Sequence, residues 1–120
     1  MQAHDFRALM QTDPHFEDDT RSAAFWMTGS FNEGSSWIGR FTGESPWERH
    51  ATSDEFIHVV EGTVRITLKT EDGEESCDVP AGSHATVPMN VWHRVASVDG
   101  EVVIFGVTPC PTDHSEGDPT

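Results

Sequence analysis

Apolar residues recur in this chain mainly at every second position. Residues 63–70 show it best: Val64, Ile66 and Leu68 alternate with Arg65, Thr67 and Lys69, so the first three are expected to face a core and the others solvent. Other pieces of strand length end in turn formers. Residues 23–28 precede Gly29, 36–42 precede Gly43, and 77–79 precede Pro80-Ala81-Gly82. Asp72-Gly73 predicts a hairpin, residues 84–87 and 92–98 flank a bend at Pro88, and residues 102–108 supply a closing strand.

Helical spacing is confined to residues 3–12, where Phe6, Leu9 and Met10 share a face and Asp13-Pro14 ends the run. We read residues 1–22 as a short N-terminal helix or arm, 23–109 as one β domain, and 110–120, rich in Pro, Asp, Ser and Gly, as a loose, flexible tail. Many short strands with regular turns indicate an all-β antiparallel sandwich or barrel. The pattern does not separate an immunoglobulin-like sandwich from a jelly roll.

Candidate chemistry gathers in residues 47–62. Glu48 and His50 lie two apart in an extended run and therefore project to one side. Thr52, Ser53 and Asp54 offer a turn, and the β-branched and aromatic run that follows brings Glu55 back beside them. Gly62 is expected to close that strand in a hairpin turn.

The spacing of Glu48, His50, Glu55 and Gly62 resembles the first motif of the cupins, small jelly-roll β-barrel proteins, in which His-x-His, four residues, Glu, six residues and Gly build most of a metal site. Glu48 stands in place of the first histidine. Gly82, Pro88 and His93 resemble the second cupin motif, with Asn90 and Ser97 substituting its Gly and Asn. The resemblance implies a cupin jelly roll binding a divalent transition metal through Glu48, His50, Glu55 and His93. Imidazole and carboxylate ligands do not distinguish iron, manganese, zinc and nickel. Two carboxylates would balance a divalent charge, so the centre should acidify bound water less than the usual three-His, one-Glu set and favour a higher oxidation state. Without metal, the carboxylates would repel, and one would take up a proton or pair with Arg40 or Arg94.

Two function classes follow. One is a metalloenzyme acting on a small molecule, of dioxygenase, isomerase or lyase type; the other is a non-catalytic cupin that binds or senses a small ligand. No nucleophile motif or phosphate-binding loop is visible. A net charge of −14 argues against nucleic acid or an anionic membrane as partner. With no spanning run or leader pattern, a cytoplasmic location is the default expectation. Cys77 and Cys110 match no paired motif; free thiols are the expectation, and a disulfide between them stays open only if the two strand regions come within about 7 Å, Cα to Cα. His58 and His84 are expected to point out of the barrel, and His4, His15 and His114 into solvent. The run Phe56 to Val60 is apolar on both faces, so its outer face needs a cover, either the N-terminal arm or a second copy. A homodimer is what the resemblance implies. Trp26, Trp37, Trp47 and Trp92 are expected mainly in the core.

Overall fold

The computed structural model describes residues 1–119. They form one curled antiparallel sheet, a jelly roll, with a short helix at the N-terminus. In chain order the elements are α1 (Phe6–Leu9), β1 (Phe16–Asp18), β2 (Ala23–Phe31), β3 (Gly34–Phe41), β4 (Trp47–His50), β5 (Glu55–Thr70), β6 (Gly73–Pro80), β7 (His84–Val87), β8 (His93–Pro109) and β9 (Thr112–Ser115). A single 3-10 turn, Asp19–Arg21, links β1 to β2.

Two long strands organise the sheet. β5 and β8 pair along nearly their whole length, and β8 also borders β3 and β4, while β6 and β7 pair with β5. Strands of 16 and 17 residues cannot stay flat. β5 bends at register shifts between Val59 and Thr63, where Gly62 sits at φ +81°. Gly62 therefore makes a bulge within one strand; the expected hairpin turn there is absent. A side chain at that position would press on Val102, with its Cβ 2.8 Å from Cγ1. The same curling joins the two expected strands 92–98 and 102–108 into β8, with Asp99 and Gly100 at positive φ where they meet.

The alternation in residues 63–70 holds for Val64 and Ile66, which are buried, and for Arg65, which is exposed. Thr67 departs from it. It is buried because its hydroxyl pairs with Ser76 on β6 at 2.8 Å, which offsets the cost of removing it from water. The inner core joins Phe41, Ile57, Val59, Val64, Val102 and Ile104. A second cluster, Trp26, Ile38 and Val103, lies outside the sheet under Phe6, Leu9 and Met10. A four-residue helix is too short to persist alone. Its Asp5 cap, accepting from the Ala8 amide at 3.1 Å, contributes about 1 kcal/mol. Packing over Trp26, whose indole N–H donates to the Thr12 carbonyl at 3.0 Å, does more to hold the arm in place.

The arm thus covers the outer face at Val60 and Phe105 but leaves Phe56 exposed, stacked on His84 at 5.1 Å. The segment expected to be loose carries β9, which pairs with β4 over residues 47–50. Main-chain pairing orders it without an apolar side chain. Cys77 and Cys110 are both free and exposed. No described helix is long and apolar enough to cross a membrane.

Candidate metal centre

The register of three strands assembles the site. Glu48 on β4 lies directly opposite His93 at the start of β8, and on its other side β4 pairs with β9, placing His50 opposite Thr112. Glu55 opens β5, one step before the Phe56 and Val107 pair, and so neighbours Thr108. Cross-strand partners stand close enough for side chains to meet. Ligand atoms of Glu48, His50 and His93 all lie within 4.8 Å of one another, forming a triad that could hold a metal ion. The imidazole centroids of His50 and His93 are 5.2 Å apart.

Glu55 contacts both rings. Its Oε1 is 3.2 Å from His93 Nε2, and its Oε2 is 3.3 Å from His50 Nε2. The other nitrogen of each ring is engaged elsewhere. His93 Nδ1 donates to the Val91 carbonyl at 3.0 Å, and His50 Nδ1 meets the Thr112 hydroxyl at 3.0 Å. Because a carbonyl only accepts, the proton of His93 sits on Nδ1. A neutral His93 would then aim an Nε2 lone pair at a carboxylate, a repulsive arrangement that a proton or a cation on Nε2 relieves.

His50 Nε2 tells the same story. It is buried, and although Glu55 Oε2 lies 3.3 Å away, the direction is wrong for a hydrogen bond, so the atom has no hydrogen-bond partner among the described residues. Two buried imidazoles with Nδ1 anchored and Nε2 turned to one carboxylate fit the coordination habits of a divalent transition ion. The residues present therefore suit the expected metal.

Charge follows geometry. Burial alone would raise the Glu55 carboxyl, but the imidazoles of His50 and His93 outweigh it and hold it at about 2. For His93, burial works downward, yet the bond to Glu55 and its charge leave the ring more basic than usual. Glu48 moves upward, first through burial and then through the negative charge of Glu55. Neither expected arginine neutralises these acids. Arg40 pairs with Glu101 and Arg94 with Glu44, so the histidines take that role.

The remaining histidines lie apart from the triad, with one qualification. His114, expected in a solvated tail, stands opposite Glu48 on β9 with Nε2 3.9 Å from Glu48 Oε1. His58 is half-buried, His84 is exposed, and His15 Nδ1 accepts from the Met27 amide at 3.1 Å. Of the tryptophans, Trp26 and Trp47 are buried, whereas Trp37 walls a cavity of about 300 Å³ that Glu48, Glu55 and His93 also line. Its indole N–H donates to Thr108 Oγ1 at 2.8 Å, and that hydroxyl donates onward to Glu55 Oε2 at 2.5 Å. Gly106 and Gly39 make room for the ring, since a Cβ on Gly106 would overlap its six-membered portion.

Thr108, Thr112 and Val91 orient the site, and no sequence pattern singles them out. Thr112 sits in the segment read as a tail, and a carbonyl leaves no mark on residue type.

The model of the Cupin domain family matches residues 42–108, more than half of the chain and all four candidate ligands. No curated protein matches. Among solved structures, oxalate decarboxylase of Bacillus subtilis superposes with a TM-score of 0.71 at 15% identity, over 88% of this chain and 30% of that one. A cupin-2 domain containing protein of Shewanella frigidimarina gives 0.62 at 24% identity, over 72% and 80%. The formate complex of Lactobacillus farciminis oxalate decarboxylase gives 0.64 at 16%, over 77% and 31%. This chain thus spans about a third of the decarboxylases' length, and at these identities the likeness is one of fold. With the motif register, the curled sheet and the family match in agreement, the chain belongs to the cupins.

Proposed function

We propose that this cupin binds a divalent transition metal through His50, His93, Glu55 and Glu48, and that it acts on a small organic molecule as a dioxygenase, isomerase or lyase. The observation that carries the reading is the orientation of the imidazoles: each has Nδ1 engaged, by Val91 or Thr112, and Nε2 facing Glu55. The Mn(II) centres of Bacillus subtilis oxalate decarboxylase, a neighbour in fold, support a divalent ion. A bound cation would supply a Lewis-acid point that holds and polarises a substrate oxygen.

The chain's own groups define what else can happen. Largely apolar walls flank the triad on the cavity side, which lowers the polarity around its charges and strengthens their interactions. Glu48 lines that cavity, and its raised affinity for a proton fits it to carry one at a carboxylate oxygen when it is not a ligand. Thr108 and Thr112 fix Glu55 and His50 from behind.

Elemental analysis and calorimetric titration with Mn(II), Fe(II), Zn(II) and Ni(II) test the proposal. A single ion per chain is expected, with binding abolished in His50→Ala and His93→Ala. Glu48→Gln should weaken it; unchanged affinity would remove Glu48 from the ligand set. No uptake of any of the four ions by the wild-type protein would overturn the reading. Metal uptake without turnover across a broad substrate panel would turn the function toward ligand binding or sensing.

A further inference from the structure

The cavity beside the triad is walled chiefly by carbon. Phe25, Trp37, Phe41, Ile57, Val95 and Ile104 line it. Phe16 and Met27, 59% and 41% exposed, extend the apolar wall to the surface. At roughly 30 Å³ per water-sized group, the volume of about 300 Å³ holds on the order of ten non-hydrogen atoms. That is far more than a two-carbon dianion fills.

Strong polar groups enter this space at two places. One is the set Glu48, Glu55 and His93; the other is Arg21. The Arg21 side chain is only 13% exposed, and its guanidinium carbon lies 5.6 Å and 5.5 Å from the ring centroids of Phe25 and Phe41. Its Nε donates to Asp18 Oδ2 at 3.2 Å. Among the described residues, its terminal amino groups donate to no acceptor, so N–H capacity is left over. Asp18 balances the guanidinium charge, and the chain as a whole carries −14. An anion therefore gains little net attraction here and loses its hydration against the apolar walls. An uncharged oxygen acceptor suits the spare N–H groups better.

We infer that the cavity takes an uncharged, mainly apolar ring compound bearing oxygen functions at two points, one turned toward Glu48, Glu55 and His93 and the other accepting a hydrogen bond from Arg21. The inference deepens the proposed function and rests on it for the first oxygen only. It makes Arg21 a specificity-determining residue, and it sets the preferred ligand apart from small dianions.

The test uses 1-tetralone as probe, tetralin as the same ring system without an acceptor, and oxalate as a small dianion. Each is titrated calorimetrically into the full chain, once after EDTA treatment and once with Mn(II). The Trp37 indole N–H resonance, assigned by its loss in Trp37→Phe, reports entry to the cavity. In the EDTA-treated protein, tetralone should shift that resonance and bind at least about tenfold more tightly than oxalate, which must shed its charge hydration to enter. It should exceed tetralin by a factor of about 10 to 100, the worth of one hydrogen bond from a charged donor. Arg21→Met should erase the difference between tetralone and tetralin while leaving tetralin binding unchanged. If Arg21→Met does not fold, Arg21→Lys and the wild-type comparison of the two ring compounds decide the matter.

Oxalate binding as tightly as tetralone without Mn(II), or a Trp37 signal that tetralone does not move, would overturn the inference. Equal weakening of both ring compounds in Arg21→Met would also overturn it, by reducing Arg21 to a packing role. Tetralone binding with no metal uptake would sink the metal proposal and leave this one standing; metal uptake with no tetralone binding would do the reverse.

Discussion

Replacing Glu55 by Gln removes the charge that both histidines face while keeping the side chain's length. The carboxyl is held at about 2 against an ordinary 4.5. At about 1.4 kcal/mol per pKa unit, that corresponds to an upper bound of about 3 kcal/mol of stability in the metal-free protein. Because the folded value is depressed, this contribution is fully present above about pH 4.5 and disappears as pH falls toward 2. His93 has the opposite sign. Its folded value is raised from 6.5, so its share is complete below that pH and is lost as pH rises through the folded value. The two shifts describe one ion pair and are counted once. Without metal, the pair's contribution to stability is complete from about pH 4.5 to about 6.5.

In EDTA at pH 5.5, Glu55→Gln should lose up to about 3 kcal/mol, a fall in Tm of roughly 10 °C for a chain of this size. Urea and thermal unfolding, followed by circular dichroism from pH 2 to 8, measure it. The variant should lack much of the wild-type decline between pH 4.5 and 2, and the two proteins should converge near pH 2. A deficit of equal size at pH 5.5 and pH 2.5 would refute the reasoning, because the loss would then come from packing.

Gly106→Ala should push Trp37 off its seat, costing about 1 to 3 kcal/mol in overpacking and breaking the link to Thr108; urea unfolding and a changed tryptophan emission maximum check it. Deleting residues 1–12 should uncover Trp26, Ile38 and Val103 and cause concentration-dependent self-association in sedimentation velocity. A monodisperse deletion variant of unaltered stability would show that the arm is not the cover of that face.

The fold was legible where a one-dimensional pattern has one structural meaning. Val64 and Ile66 alternate because they face a core, and the spacing of Glu48, His50, Glu55 and His93 survives because strand pairing converts it directly into proximity. What failed depended on bending or on partners far along the chain. Gly62 reads as a turn in any local window, since a bulge and a hairpin ask the same positive φ of it; only the pairing of β5 with β8 separates them. Thr67 reads as exposed until Ser76 lies opposite. Arg40 and Arg94 were plausible partners for the acids by charge alone, yet each ends on another glutamate. Arg21 gave no signal at all, because its role depends on Phe25 and Phe41 closing around it.

β9 sits at the sheet edge behind His50 and is tied in by its main chain and by the ion pair of Asp113 with Arg49, with Thr112 supplying a hydroxyl that steadies the ring. Such a segment places few demands on residue identity. Drift at Ser115 and His114 should be well tolerated, while loss of the oxygen at 112 should be felt several ångströms away in how firmly an ion is gripped. Compositional blandness in this stretch therefore conceals Thr112, a position on which the proposed site leans.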